Sequence, residues 1–401
     1  MSSGFKEVEL GSYFALLKSG LSRLLSQQDI GIPVLISGNI KNNRFDYSDL
    51  KYWYVRDPQG ADTSKYLLDV GDILLCFINS IEQIGKLAIF KGYERPCIYT
   101  TNLFRIKAKS EIDSSFLYYL LSSRIVQDEI KAITKPAVNQ ASFTVGDFQK
   151  LKVPFVPLSQ QRKIAQILST VDAVLEKTEA AIAKYQQLKQ GLMHDVFTRG
   201  IDVHTGQLRP KQTLAPELYK QSALGWIPKE WEVKKLEDFG EIKYGRDYKA
   251  NPKGDKYPIY GTGGIMGWTS KSLNSGPAVL TGRKGTINNP IYVEGDFWNV
   301  DTIFCINTNE STNIKWFYYQ MCSKDLMKLN EATGVPSVNS NALYNLKFSY
   351  PDKMEQDIIT NKLNKIDQKI HTEQQALAKY QQLKAGLLQD LLTGRVEVSV
   401  N

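Results

Sequence analysis

Ala183-Lys184-Tyr185-Gln186-Gln187-Leu188-Lys189 returns letter for letter as Ala378-Lys379-Tyr380-Gln381-Gln382-Leu383-Lys384, close to half a chain length later. The likeness continues at lower strength through Gly191/Gly386, Leu192/Leu387, Asp195/Asp390 and Thr198/Thr393. Solenoid repeats run to about 20–50 residues. A period this long instead marks two copies of a whole unit, each a domain with its helix.

Both copies of the quoted stretch lie in a seven-residue apolar pattern. In the first, Ile164, Val171, Thr178, Tyr185 and Leu192 recur at that spacing, with Leu168, Leu175, Ile182 and Val196 in the neighbouring register. In the second, Ile359, Ile366, Tyr380 and Leu387 hold one register and Leu363, Ile370, Leu377 and Leu391 the other. Such a repeat makes a seam for another helix, and the Gln, Lys and Glu between make solvated faces. Ser159 is placed to cap the first helix, and Gly200 follows its end. Roughly 39 residues at 1.5 Å each give a rod of about 58 Å. One such stripe would be ordinary core. Two matching ones are each other's simplest partner, as an antiparallel coiled-coil spacer. The candidate helix–helix and partner interface is Ile164, Leu168, Val171, Leu175, Ile182, Tyr185 and Leu192, with Ile359, Leu363, Ile366, Ile370, Leu377, Tyr380 and Leu387.

Outward from the helices, residues 1–157 read as a first domain of short β-rich runs (Ile32–Ile36, Gly71–Leu75, Lys86–Phe90) and one helical stretch from Phe116. Residues 158–199 are the first helix. The polar, aperiodic stretch 200–224 reads as an extended linker crossing the surface. Residues 225–351 are a second domain, and 352–395 the second helix. The domains match in outline. Pro258-Ile259 stands where Pro33-Val34 did, and Ala278-Val279-Leu280 where Ile73-Leu74 did. Trp316-Phe317-Tyr318-Tyr319 answers Phe116-Leu117-Tyr118-Tyr119, and Val338-Asn339 answers Val138-Asn139. The intervening loops, such as 38–66 against 261–275, do not match. The fold class is α+β: two similar mixed α/β domains separated by two long antiparallel helices, a pseudo-twofold tandem repeat whose two frames carry different surfaces.

Composition is that of an ordinary globular protein, with 42% hydrophobic and 23% charged residues. A formal charge of +8 permits a polyanionic partner without demanding one. Cys76, Cys97, Cys305 and Cys322 show no CxxC pairing and read as reduced thiols. With no signal-peptide pattern and no long apolar run, the expected location is the cytoplasm, with no membrane partner.

Several strings invite an enzymatic reading and fall short. Gly261-Thr262-Gly263-Gly264-Ile265-Met266-Gly267 has the wrong glycine spacing for a dinucleotide loop and no enclosing βαβ unit; a tight turn accounts for it better. Asn289-Pro290-Ile291-Tyr292 lacks the second proline of the amino-methyltransferase motif, so S-adenosylmethionine is not expected on this chain. Glu241-Ile242-Lys243 after Asp238 is a faint nuclease-like trace of a kind that arises by chance. His194, His204 and His371 form no ligand cluster. No catalytic or metal-binding set is expected.

Nucleic-acid signals are better formed. Gly282-Arg283-Lys284-Gly285-Thr286 follows an apolar run, and a turn there projects two cations and free N–H groups toward phosphate; Arg can also read guanine bidentately. A basic surface turn fits the same residues. Lys135-Pro136-Ala137-Val138-Asn139-Gln140 and Thr333-Gly334-Val335-Pro336-Ser337-Val338-Asn339 are polar loops at equivalent places. Asn and Gln carry the donor–acceptor pair that adenine's edge takes, but turns in which Asn139 and Asn339 bond nearby backbone explain a repeated position somewhat better. Lys41, Asn42, Asn43 and Arg44 near Tyr52-Trp53-Tyr54 form one basic–aromatic region. Arg246, Lys249, Lys253 and Lys256 with Tyr244 and Tyr248 form another; a solvated face with core aromatics behind it fits either region as well. The candidate DNA contacts are therefore Lys41, Asn43, Arg44, Lys135, Asn139 and Gln140 in the first domain, and Arg246, Lys249, Arg283, Lys284, Thr286, Ser337, Asn339 and Asn341 in the second.

Taken together, these features resemble the specificity subunit of a type I restriction-modification system over nearly the whole chain. Leu158-Ser159-Gln160-Gln161-Arg162-Lys163-Ile164-Ala165, continued by Lys184 to Met193, is similar to that family's central region. Lys379 to Leu388 with Leu391-Leu392-Thr393-Gly394 is similar to its C-terminal counterpart, and Gly225-Trp226-Ile227-Pro228-Lys229-Glu230-Trp231 to the start of its second recognition domain. Met354-Glu355-Gln356 departs from the Leu-Ser-Gln-Gln form and reads as drift. The resemblance implies two target recognition domains, each reading half of a bipartite, asymmetric site in double-stranded DNA. It also implies that the chain catalyses nothing and docks two modification subunits, which methylate adenine, along with restriction subunits. S-adenosylmethionine, ATP and Mg would sit on those partners. A protein-only scaffold, an enzyme whose site the motifs do not reveal, and a recognition subunit of another methylation-based defence complex are the alternatives.

Overall fold

The computed structural model describes residues 6–138, 140–249, 253–396 and 398–399, with Lys253 described by its backbone only. Candidate residue Asn139 lies outside them. The chain divides into two compact units: Met1–Glu179 with Ala376–Asn401, and Ala180–Gln375. Among the described residues the α-helices are α1 (Ser114–Ser122), α2 (Arg124–Ile133), α3 (Val145–Gln149), α4 (Leu158–Thr198), α5 (Ile314–Cys322), α6 (Ser340–Tyr344) and α7 (Lys353–Leu392). The boundary between units falls inside the two long helices, not at their ends.

The first unit is built on a four-stranded antiparallel sheet in the order Phe14–Ser19, Leu103–Ala108, Ile73–Cys76, Leu87–Ile89. All four residues of Ile73–Cys76 are buried, because alternate side chains of a strand point to opposite faces and both faces are covered here. Ile73 and Leu75 join the core holding α1 and Ile164, Ala165 and Leu168 of α4. Leu74 and Cys76 face a second core with Leu35, Cys97 and Tyr99. This explains a continuous apolar run where alternation would mark a sheet with one wet face. The second core is roofed by strands Ile98–Tyr99, Ile32–Leu35 and Lys51–Trp53, in which Ile98 runs parallel to Val34.

The second unit repeats this plan. Its antiparallel sheet runs Gly240–Tyr244, Ile303–Thr308, Ala278–Gly282, Ile291–Val293. Its other sheet runs Gly264–Thr269, Lys253–Gly261, Asp296–Asn299, Asn274–Ser275, with Ile259 parallel to Trp298. Val279 faces one core and Ala278 and Leu280 the other, as the paired motifs of the sequence anticipate. Even a glycine recurs for cause. A Cβ on Gly20 would collide with the Tyr99 carbonyl oxygen, and one on Gly245 with that of Val300, so only glycine fits where each chain leaves the antiparallel sheet.

The long helices are 41 and 40 residues, about 60 Å each. α4 begins at Leu158, so Ser159 lies within its first turn and does not cap it; Gly200 follows its end at φ +69°. The seam is not uniform. Ile164 and Leu168 belong to the globular core of the first unit, and Ile359 and Leu363 to that of the second. Leu175 is buried, while Val171, Ile182, Tyr185, Leu192, Ile366, Ile370, Leu377, Tyr380 and Leu387 are half-buried. Within the second unit the segments run antiparallel: Lys189 pairs with Asp367 at 2.6 Å and Lys369 lies over the Tyr185 ring. Within the first, Lys384 pairs with Asp172 at 2.6 Å.

The expected surface linker is instead folded onto the second unit. Ile201 bridges Leu208, Tyr219–Ser222 pairs with Gly225–Pro228, and Ile201, Ala215 and Tyr219 are buried. Glu355, buried at the start of α7, accepts hydrogen bonds from the Ile201 N–H, from Trp231 Nε1 at 2.8 Å and from the Arg209 guanidinium. A departure that reads as drift in the sequence is therefore the anchor of this segment. The neighbouring Gln356 repeats Gln161 faithfully: each is buried, donates to the carbonyl five residues before it, and accepts the N–H of the N-cap of α5 or α1 respectively.

Candidate nucleic-acid interface

In the second unit, loops far apart in sequence converge on one face. Ala278–Gly282 ends in the Arg283-Lys284-Gly285 turn, where Gly285 takes φ +100°. The turn is bound to the 333–338 loop by two hydrogen bonds: Gly285 N–H donates to Pro336 O at 2.8 Å and Val338 N–H donates to Arg283 O at 2.9 Å, which together make Lys284 the antiparallel bridge partner of Ser337. The two motifs singled out in the sequence thus form one structure. Thr262 of the 257–269 hairpin lies against the same turn, since a Cβ on Gly285 would stand 3.4 Å from its Oγ1. Arg283 stacks over the Tyr244 ring at 5.7 Å and donates to Asp301 O. Arg246 is held by its backbone, donating to Asn299 O and accepting from Trp298 Nε1. Arg246, Lys249, Arg283, Lys284 and Thr286 are exposed. Among the described residues no carboxylate pairs with any of these four cations.

Asn339 caps α6 through its side chain, accepting from Ala342 N–H at 2.7 Å, and donates to Glu331. That is the local backbone role weighed for it in the sequence. Asn341 sits exposed in the first turn of α6. A shallow cavity of about 620 Å³ opens beside the Arg283 turn, walled by Asp247, Lys249, Thr262, Ile265, Met266 and Thr302 among others.

The first unit presents its cations differently. Ile40–Lys41 and Arg44–Phe45 form a hairpin whose two loop residues, Asn42 and Asn43, both take positive φ, +50° and +59°, the signature of a type I′ turn. Lys41 pairs with Asp46 at 2.5 Å, and that hydrogen bond raises its ammonium pKa. Arg44 reaches Glu179 at 2.8 Å and Glu176 at 3.4 Å on α4. Asn43 O accepts from the Tyr118 hydroxyl. Lys135 and Gln140 lie exposed on a second hairpin, Lys135–Ala137 with Gln140–Ser142, which pairs with Ile78–Asn79. Among the described residues no hydrogen bond or ion pair joins the Lys41 hairpin to the Lys135 hairpin, in contrast with the bonded loops of the second unit.

One constellation escapes the sequence reading. Tyr119 of α1 donates to Asp172 at 2.7 Å, and Asp172 pairs with Lys384. In the second unit Tyr319 of α5 donates to Asp367 at 2.6 Å, and Asp367 pairs with Lys189. The lysine in each triad ends one copy of the duplicated heptapeptide, and lies over the tyrosine ring as well. Burial, then the hydrogen bond to the carboxylate, push both phenols far above the ordinary tyrosine range. The signal was present in the heptapeptide's identity, but its partners come from elements remote in sequence.

The thiols fit the expectation of free cysteines: Cys76, Cys97 and Cys305 are buried and Cys322 exposed, all unpaired. Burial raises the first three to about 11. Among the described residues no group of three or more His, Cys, Asp or Glu could hold a metal ion, and no helix is long and apolar enough to cross a membrane.

With this geometry in view, comparisons with known proteins agree in one direction. The family model of the type I restriction modification DNA specificity domain matches residues 3–188 and again 228–382. A putative type I restriction enzyme MjaX specificity subunit from Methanocaldococcus jannaschii is 28% identical over 97% of this chain and 93% of its own. The MjaVIII specificity subunit of the same organism is 26% identical over 88% of this chain and 86% of its own. Among solved structures, the S subunit of a type I restriction-modification system from M. genitalium superposes with a TM-score of 0.64 at 18% identity, over 99% of this chain and 97% of that one. That likeness shows the fold alone. The family match covers most of the sequence in two tandem segments, one per repeat, and on that ground the chain belongs to the type I restriction-modification DNA specificity family.

Proposed function

We propose that this chain is the DNA-reading, non-catalytic subunit of a type I restriction-modification complex, and that each unit reads one half of a bipartite, asymmetric sequence. The observation that carries the reading is the contrast between frame and loops. Sheet order, the parallel strand pair and the buried glutamine recur in both units. The exposed loops on those frames share neither sequence nor charge arrangement. A repeated frame needs no variation for stability, so divergent heads suit two unlike half-sites. Phosphate contacts from unpaired lysines and arginines would position the duplex, and base edges would specify it.

Docking of two modification subunits is supported by the duplicated heptapeptide. Tyr185 and Tyr380 are half-buried, and packing explains why they match. Packing places no demand on Lys184, Gln186, Gln187 and Leu188, or on Lys379, Gln381, Gln382 and Leu383, which are exposed. Leu188 is 55% exposed and Leu383 52%. The same solvent-facing surface presented twice suits two copies of one partner. S-adenosylmethionine on those partners, ATP and Mg on restriction subunits and a cytoplasmic location complete the proposal.

The test is single-molecule methylation sequencing of DNA from cells expressing this chain with its neighbouring methyltransferase subunit, against cells lacking this chain. A bipartite methylated adenine motif that depends on this chain is the expected result. If both proteins are expressed and complexed and no new motif appears, the DNA-reading role is wrong and a scaffold remains.

A further inference from the structure

The hairpin beside the Arg283 turn carries an irregularity that the frame does not need. Ile259 pairs with Gly267 and Tyr260 with Ile265, so Met266 is an extra residue and the register slips there. A regular strand alternates its side chains between faces; a bulge re-aims one. Here the result is two consecutive apolar side chains in solvent, Ile265 and Met266, each 54% exposed. Gly261 makes room for the second, since a Cβ there would stand 3.0 Å from Met266 Sδ. Both wall the cavity that Lys249, Thr262 and Thr302 share, with the unpaired Arg283 and Lys284 on the adjoining turn. Asp247 and Asp301 also line that cavity, but neither carboxylate pairs with Lys249, Arg283 or Lys284 among the described residues, and an apolar pair beside such free cations suits a polyanion that also offers apolar groups. In a DNA groove the exposed apolar group of a base edge is the thymine C5-methyl, which side chains read by contact and not by hydrogen bonding.

We infer that Ile265 and Met266 are specificity-determining residues that read thymine methyl groups in the half-site bound by the second unit. Arg283, Lys284 and Lys249 hold the phosphates on either side, while the bulge places the two side chains at the base edges. The inference rests on the DNA-reading role proposed above, and is tested separately from it. The probes are synthetic duplexes carrying the motif found by methylation sequencing, with each thymine in turn replaced by deoxyuridine. They are titrated against the complex of this chain with its methyltransferase subunit, and against the same complex carrying Ile265→Ala and Met266→Ala. Removing one buried methyl contact is expected to weaken binding about fourfold. At one or more thymines of one half-site, wild type should show that loss and the double variant should not. Because the deoxyuridine scan of the wild-type complex needs no substitution, a misfolded variant cannot mask the result. If every deoxyuridine is tolerated by wild type while the unmodified duplex is bound selectively, the methyl-reading inference is overturned and the DNA-reading role stands. A penalty of equal size in wild type and variant overturns the assignment to these two residues. If the unmodified duplex is not bound selectively at all, the DNA-reading role falls and this inference with it.

Discussion

At the scale of single residues, Glu355 shows how one buried charge fixes a segment that composition alone leaves unassigned. Its carboxylate and the Arg209 guanidinium are both largely shielded from water, and Trp231 Nε1 and the Ile201 N–H complete the set. Removing one partner of a buried pair costs about 3–5 kcal/mol because the other is left uncompensated. Glu355→Ala should lower the unfolding free energy by that amount, read as a lower urea midpoint at unchanged slope, and release 200–228 to rapid amide exchange. Unchanged exchange there would show the segment is held by its apolar contacts. The role was not legible in the sequence, since a buried carboxylate at that position makes sense only once Arg209 and Trp231 have folded back beside it. The backbone role of Asn339 was legible from its repeated position in the two domains, but the short helix that it caps was not. The exposure of Ile265 and Met266 was hidden, because a one-residue slip of register leaves no mark on composition.

Among elements, the long helices were the most legible, since a seven-residue stripe sustained over so many turns has few other readings. What the stripe could not tell is which neighbour each residue meets. Ile164, Leu168, Ile359 and Leu363 fit the same heptad as Tyr185 and Tyr380, yet they pack into globular cores. The Tyr119–Asp172–Lys384 and Tyr319–Asp367–Lys189 triads join a domain helix to both long helices, and they set an alkaline limit on stability. Both phenols are raised in the folded state. Their contribution is therefore complete below the unfolded tyrosine value, near pH 10, and is lost as pH rises from there toward the folded value. Stability should fall above about pH 10, and Tyr119→Phe with Tyr319→Phe should flatten that fall. Each substitution should cost about 1.5–3 kcal/mol near neutral pH, as expected for a hydrogen bond to a charged group. A denaturation series from pH 8 to 11 on wild type and double variant checks both, and an identical slope would exclude the phenols.

For the whole molecule, the expected succession of domain, helix, linker, domain and helix gives way to two units that share the long helices between them. The last 26 residues, Ala376–Asn401, belong to the first unit and not to the second. They supply Leu391 and Leu392 to its core and Lys384 to its triad. Truncation after Gln375 should therefore speed amide exchange in α1 and in the sheet containing Ile73–Cys76, and leave the sheet containing Ala278–Gly282 nearly as protected as before. Equal loss in both would mean that the units fold as one. Exchange of residues 1–157 for those of a relative should change one half-site of the methylated motif; a change in both would show that the heads are not independent.

That division has a consequence for how the protein is born. Synthesis advances at about 5–20 residues per second, so roughly 10 to 40 s separate the emergence of Glu179 from that of Ala376. Through that interval the earlier unit stands on the ribosome without the residues that finish its core, while Asp172 waits for its lysine. The later unit, Ala180–Gln375, is one unbroken stretch and can close as soon as it has emerged. The half whose translation begins first is therefore the half that is completed last.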